Sequence, residues 1–191
     1  MSHAPLTPER RDHADAIIAW ILGDARQITD PNDILSGLCE RMIEGGVPVD
    51  RATSAIQVLN AENLAVARVW ERGSGAHETI LAYGAEEAQI LAKTPFRAAH
   101  DSGEWVNLWI PDTPDETFSV VPDLRAGGFR HYVCIPVTFI NGMENAFSVV
   151  TKSRDGFSEE DFALITRTMP ALVALTRSCP SPSAGRHPPC S

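Results

Sequence analysis

The sequence lacks a long apolar run, and no segment approaches the roughly 20 consecutive apolar residues that a membrane-spanning helix needs. The first residues, MSHAPLTPERRDHAD, also lack the apolar segment that follows the positive charges of a secretory signal. We therefore expect a cytoplasmic protein that neither spans a membrane nor is secreted.

Basic residues are also scarce. Lys and Arg number 16 against 25 Asp and Glu, which gives a net charge of −9, and the longest basic cluster is Arg10-Arg11. A surface of this sign repels phosphate backbones and anionic lipids. We therefore expect neither a nucleic-acid partner nor a membrane partner.

Paired cysteines are missing as well. The four cysteines, Cys39, Cys134, Cys179 and Cys190, form no C-x-x-C motif, so neither a zinc knuckle nor a thioredoxin-like site can be drawn. A metal site from His77, His100 and His131 is disfavoured because none has a second ligand at helical spacing or an adjacent cysteine. We expect reduced thiols, no metal and no cofactor.

The chain does have the composition of one globular domain, with 191 residues and 43% apolar residues. We assign residues 8–177 to that domain and residues 1–7 to a flexible N-terminus. Residues 178–191, SCPSPSAGRHPPCS, contain four prolines and no apolar pattern, which predicts a disordered tail.

Apolar residues recur at helical spacing over 8–27, over 31–44 and over 157–175, and the last of these helices contains Pro170. Alternating patterns predict strands over 52–59, 65–70, 78–83, 131–139 and 145–151, the last two joined by a turn at Asn141-Gly142. Between them we predict a helix over 86–93 and an irregular stretch over 94–122, with a short strand at 105–110 and a short helix at 120–126. This order indicates the α+β class, with an antiparallel sheet and segregated helices.

Two segments carry a resemblance to a known family. Residues 128–137 (GFRHYVCIPV) and 155–162 (DGFSEEDF), with the intervening turn, resemble the second half of a GAF domain, a sensory module of signalling proteins. The resemblance implies an antiparallel sheet of about six strands. It also implies N- and C-terminal helices on one face of the sheet and a small-molecule pocket on the other.

A narrower resemblance covers residues 17–176. The segments IAWIL (18–22), LCERM (38–42), GVPVDRA (46–52) and TPFR (94–97) resemble the N-terminal regulatory half of certain proteobacterial class III adenylate/guanylate cyclases, although Asn60-Ala61 replaces an expected His-Pro pair. The Phe-x-Asp-Ile-x-Gly-Phe run of the cyclase catalytic domain is missing, and with it the paired carboxylates that hold the metals. The resemblance therefore implies a sensory module without cyclase activity.

The resemblance also implies site residues. Lys152, Phe157 and Asp161 match a pattern that braces the fold of nucleotide-binding GAF domains through a Lys–Asp ion pair, so we expect a structural role for them. By the same analogy, the pocket would be lined by Phe96, Arg97, Trp105, Trp109 and Phe118. Aromatic rings beside one arginine suit a planar or anionic ligand, but the two tryptophans could equally cover an open sheet face.

An enzymatic alternative uses the same fold, as in some methionine sulfoxide reductases. Those enzymes need reactive cysteines in a pocket loop, whereas Cys39 is predicted on a helix and Cys134 on a strand. A Cys134–His131 nucleophilic pair is disfavoured because strand residues three apart face opposite sides of a sheet. None of the common nucleotide-binding, hydrolase or metalloprotease motifs occurs.

The terminal helices carry more apolar residues than one sheet face should need to cover them. Ile17, Ile21, Leu164, Val173 and Leu175 are the predicted excess. Such a stripe on a soluble protein is typical of an interface, so we expect a homodimer through these helices. The alternative is that both stripes pack within one chain, which Pro170 favours because it disrupts a regular coiled-coil seam.

Overall fold

The computed structural model describes residues 5–57, 63–82, 93–138 and 144–176. Its strands are Arg51–Gln57 (β1), Asn63–Glu71 (β2), Gly75–Ala82 (β3), Val106–Trp109 (β4), His131–Thr138 (β5) and Glu144–Thr151 (β6). They form one sheet in the order β3-β2-β1-β6-β5-β4, in which every neighbouring pair is antiparallel. The predicted six-stranded antiparallel sheet of an α+β fold is thus confirmed.

The helices are Pro8–Leu22 (α1), Pro31–Glu44 (α2), Pro95–Ser102 (α3), Val121–Ala126 (α4) and Glu159–Thr176 (α5), with 3-10 turns at Asp24–Gln27 and Ile110–Asp112. The first helix begins where Thr7 accepts a hydrogen bond from the Arg10 amide, as the sequence predicts. It ends at Leu22 and not at residue 27, because the backbone of Gly23 leaves the helical conformation.

The main core lies between one face of the sheet and α1, α2 and α5. Strand side chains alternate between the two faces, so Ala52, Val133 and Val149 point into this core. The helices contribute residues such as Ile21 and Leu164, both fully buried. We call this side of the sheet the helix face.

The opposite side, which we call the second face, carries a smaller core. Tyr132, Cys134 and Val150 pack there together with residues of α3 and α4. The helix α3 is missing from the sequence prediction, which treats this stretch as irregular. Its signal is short, since Thr94 caps the helix, Pro95 opens it and Gly103 at φ 69° ends it.

Burial corrects the predicted dimer stripe. Ile17 is 2% exposed, and Ile21 and Leu164 are fully buried, because α1 and α5 pack on each other and on the sheet within one chain. These three residues are therefore not available to a partner, and their assignment as surplus is wrong. The side chains of Val173 and Leu175 lie outside the described residues.

Other predictions also fall outside the described part of the chain. These are most of the helix over 86–93, the Asn141-Gly142 turn and the tail over 178–191. At the other end, Leu6 already packs against the main core, so ordered packing begins before the predicted boundary at residue 8. In the described segments, no helix is both long enough and apolar enough to cross a bilayer.

Candidate functional site

The structure divides the predicted pocket residues between the two faces of the sheet. Trp105 packs against the main core with its ring 6.3 Å from that of Phe162. Trp109 lies on the same helix face, where its ring centre is 5.7 Å from that of His131. Both tryptophans therefore cover the helix face, while their strand neighbours Val106 and Leu108 pack on the second face.

The remaining three predicted residues lie elsewhere. Phe96 packs on the second face, with its ring 4.8 Å from that of His100. Arg97 is exposed and forms an ion pair with Asp101 on its own helix at 2.7 Å. Phe118 is half-buried in the segment before α4. The five side chains thus do not line one pocket, and the prediction that groups them is wrong.

Short side chains line the middle of the second face. Across four adjacent strands, Val69, Thr53, Ser148 and Cys134 lie opposite one another in one row. In the next row, Ala67 and Ala146 flank Ala55. We call these two rows of short side chains the floor of the second face. The sequence analysis did not predict the floor, although the small residues at alternate positions of β1 indicated it.

Two buried ionisable groups on the second face, Cys134 and Tyr132, are neutral at neutral pH. Burial raises the pKa of Cys134 to about 12 and holds the pKa of Tyr132 well above its ordinary value. At neutral pH the face therefore presents a thiol and a phenol, not a thiolate and a phenolate. Such a surface suits the uncharged part of a ligand.

His131 is a buried polar group on the helix face that the sequence analysis considered only as a metal ligand or a general base. Its Nδ1 accepts a hydrogen bond from the Phe157 amide at 2.9 Å, so the ring proton lies on Nε2, which donates to Asn107 Oδ1 at 2.5 Å. Burial lowers the pKa of His131. Its side chain faces away from Cys134, as the strand spacing predicts.

The predicted ion pair of Asp161 has a different cation. Asp161 is 4% exposed and binds Arg10 Nη2 at 2.6 Å, not Lys152. Its other oxygen accepts hydrogen bonds from the amide and the hydroxyl of Ser158, which caps α5. Asp161 therefore does brace the fold, but it joins α5 to α1.

Lys152 points to another neighbour. Its Nζ lies 4.7 Å from the ring centre of Phe129, and its amide donates to Asp50 Oδ2 at 2.6 Å. Phe157, the third predicted brace residue, is buried beside His131 in the main core. Among the described residues, no three His, Cys, Asp or Glu side chains lie close enough together to hold a metal ion.

No family model and no curated protein matches the sequence. Solved structures do match the fold. The GAF domain of a two-component sensor histidine kinase from Bacillus halodurans aligns with 18% identity and a TM-score of 0.57, over 78% of this chain and 95% of that one. The phycoerythrobilin-bound GAF domain of a cyanobacterial phytochrome aligns with 11% identity and a TM-score of 0.52, over 92% and 97%.

An enzyme is also among the similar structures. Free methionine-R-sulfoxide reductase from Neisseria meningitidis, in complex with its substrate, aligns with 11% identity and a TM-score of 0.61, over 94% of this chain and 96% of that one. These sequence identities are low, so the alignments support the fold alone. Together with the strand order and the helices on one face, they show that this chain has the GAF fold.

Proposed function

We propose that the chain is a non-catalytic sensory or regulatory module of cyclic-nucleotide signalling that holds a small molecule on the second face of the sheet. The floor of short, uncharged side chains around Ala55, Ala146 and Ser148 carries the proposal, because short side chains fill less of the space above the centre of the sheet than long ones would. The similar phytochrome domain is described with a bound bilin. The link to cyclic nucleotides rests on the sequence resemblance to cyclase regulatory halves.

The state of the described cysteines supports a role without catalysis. Cys39 and Cys134 are both buried, and burial raises the pKa of each thiol. The thiolate is the nucleophilic form, so a buried thiol with a raised pKa is inert. The reductase alternative, favoured by the similarity to the Neisseria enzyme, would therefore need a cysteine outside the described residues.

Two assays test the non-catalytic role. The purified chain is incubated with ATP or GTP and Mg²⁺ or Mn²⁺, and separately with free methionine sulfoxide and a thiol reductant. We expect no cyclic nucleotide above a blank without enzyme and no reduction of the sulfoxide. Product in the first assay would contradict the loss of cyclase chemistry, and turnover in the second would establish the reductase alternative.

A thermal-shift screen tests the ligand site. Small molecules that include cyclic AMP and cyclic GMP are added to the wild type, to Ala55→Leu, which fills the floor, and to Ala126→Leu, which changes an exposed residue of α4. We expect at least one compound to raise the unfolding temperature of the wild type and of Ala126→Leu, but not of Ala55→Leu. An equal shift in all three proteins, or none in the wild type, would contradict a site on this floor.

We also propose that the module works in the cytoplasm as a homodimer. With Ile17, Ile21 and Leu164 buried, we place its contact at Leu22, a large apolar side chain that is exposed at the end of α1. Sedimentation equilibrium of the wild type and of Leu22→Glu tests this contact. We expect a dimer that Leu22→Glu weakens, and a monomer at tens of micromolar would contradict it.

A further inference from the structure

A cleft of about 300 Å³ opens where the Ile110–Asp112 turn, the end of α4 and the start of β5 meet. None of the five residues predicted for the pocket lines it. Its walls combine apolar surface with two arginines, and the lining residues are Ile110, Pro111, Arg125, Gly128, Phe129 and Arg130. The volume is at the lower end of the range for small-molecule sites.

Arg130 is the cation of this cleft with unused hydrogen-bonding capacity. Its backbone is fixed, since its amide donates to Thr151 O and its carbonyl accepts from the Ile110 amide, each at 2.8 Å. Its guanidinium carbon lies 5.2 Å from the ring centre of Trp109. Its Nε is buried and has no acceptor among the described residues, which is costly for a charged donor.

Arg125 has a different role. Its guanidinium is paired with Asp115 and donates to the carbonyls of Ile110 and Thr113. The charge of Arg125 is thus neutralised locally, and its side chain holds the wall of the cleft in place.

Lys152 adds a second cation beside the cleft. Its Nζ sits 4.7 Å from the ring centre of Phe129, which lines the cleft. Within the described segments, neither Lys152 nor Arg130 has a carboxylate partner at ion-pair distance. Two cations without a carboxylate partner in the described segments therefore lie at this cleft, Arg130 in its lining and Lys152 beside Phe129, in a protein whose net charge is −9.

We propose that this cleft binds a small anion that carries a planar ring, of the aromatic carboxylate or aromatic phosphate class. The anionic group accepts a hydrogen bond from Arg130 Nε and is attracted by Lys152. The ring packs on Phe129 and on the apolar surface of Ile110 and Pro111. The site uses none of the residues of the floor on the second face, so it stands independently of the proposed function.

Titrations with four probes test the proposal. Benzoate and phenyl phosphate carry both features, benzamide has the ring without the charge, and inorganic phosphate has the charge without the ring. Binding is followed by calorimetry and by the ¹H–¹⁵N signal of Arg130 Nε. We expect benzoate or phenyl phosphate to bind saturably and to shift that signal, with affinity falling as salt rises, and benzamide and phosphate to bind at least about tenfold more weakly.

Variants separate this cleft from general attraction of anions. Arg130→Gln should raise the dissociation constant about tenfold or more, because a charge-assisted hydrogen bond is lost. Lys152→Gln should reduce the dependence of probe affinity on salt concentration. Arg167→Gln is the matched control, since Arg167 is exposed on α5 and pairs with Asp15 at 2.6 Å, and it should bind as the wild type does.

Equal binding of benzamide and benzoate, or equal loss in Arg130→Gln and Arg167→Gln, would overturn the proposal. Circular dichroism shows whether Arg130→Gln folds. If it does not, the wild-type Arg130 Nε signal decides alone, and an unchanged signal at saturating phenyl phosphate overturns the site.

Discussion

His131 joins three parts of the molecule through one imidazole. From β5 it bonds to Asn107 on β4 and to the amide of Phe157, just before α5. The rings of Trp109, Phe157 and Phe162 surround it. The bond from Phe157 needs the neutral ring, because protonation at Nδ1 would place a second donor against the Phe157 N–H, whereas Nε2 remains a donor to Asn107 in either state.

Stability should therefore fall in mild acid. Burial lowers the pKa of His131 in the folded chain, so the unfolded chain binds its proton first. The contribution of neutral His131 is complete above the ordinary pKa of about 6.5. It decreases as pH falls below that value and is lost below the folded-state pKa.

Urea unfolding of the wild type at about pH 7.5 and about pH 5.5 measures this loss. At the higher pH, His131→Phe should have a lower free energy of unfolding than the wild type. Between the higher and the lower pH, its free energy of unfolding should fall by less than that of the wild type. The control is His77→Gln, which changes an exposed histidine of β3. A pH dependence in His131→Phe as steep as in the wild type would contradict the role of His131.

Asp161 gives a second prediction for a single side chain. Asp161→Asn removes the charge opposite the partly buried Arg10 and weakens the cap of α5. We expect the free energy of unfolding to fall by about 3 kcal/mol. Asp15→Asn is the matched control, because Asp15 joins the same two helices through Arg167 at the exposed surface, and it should cost less than about 1 kcal/mol.

Chemical denaturation of both variants checks the comparison. Equal losses of unfolding free energy in the two variants would mean that burial of the Arg10–Asp161 pair does not add to stability.

The identity of that pair shows where sequence reasoning stops for single residues. The sequence resemblance implies a structural role for Asp161, and in the structure Asp161 bonds with Ser158 at the start of α5. The sequence does not show that Arg10 lies beside Asp161, because this contact depends on how α1 packs across α5. The same limit explains why Trp105 and Trp109 were grouped with Phe96, from which the sheet separates them.

The connection from β6 to α5 contains a glycine with no space for a side chain. Gly156 has φ 71°, and a Cβ there would overlap the ring of His131. Gly73 has a similar φ of 87° in the β2–β3 connection, but a Cβ there would meet no atom within 4 Å. The two glycines share the backbone requirement and differ only in their surroundings.

Alanine at these two positions separates conformation from contact. Gly73→Ala should cost about 1 kcal/mol through backbone strain alone. Gly156→Ala should cost at least about 2 kcal/mol more, since His131 must move or lose its bond to Phe157. Thermal unfolding measures both variants, and equal losses would contradict the contact with His131.

Elements with a clear period were predictable, and those set by local caps were less so. Alternation of apolar and polar residues predicted β5 and β6, and apolar residues at helical spacing predicted α2 and α5. The helix α3 is only eight residues long and has no long apolar stripe, so its capping residues were its main signal. The floor of the second face can be predicted only if the register between neighbouring strands is known. That register depends on the turns and on strand pairing, and the sequence of one strand does not determine it.

Packing of α1 against α5 within one chain has a measurable effect on the whole molecule. Leu164 is fully buried, so Leu164→Ala should lower the free energy of unfolding by about 2–5 kcal/mol. Arg11→Ala is the control at an exposed position of α1 and should change it by less than about 0.5 kcal/mol.

Denaturation at two protein concentrations distinguishes this packing from an interface. If Leu164 faced a partner chain, the loss of unfolding free energy in Leu164→Ala would depend on protein concentration. That result would contradict burial within the chain.

The central pairing of the sheet also matters during synthesis. Strand β1 lies between β2 and β6, and Ala52 pairs with Val149. On the ribosome, β1, β2 and β3 emerge long before β6, so the nascent chain exposes an unpaired strand edge and half of an unfinished core. Such an edge is a template for pairing with other chains. Cotranslational chaperone binding should therefore persist until residues 144–151 have left the exit tunnel.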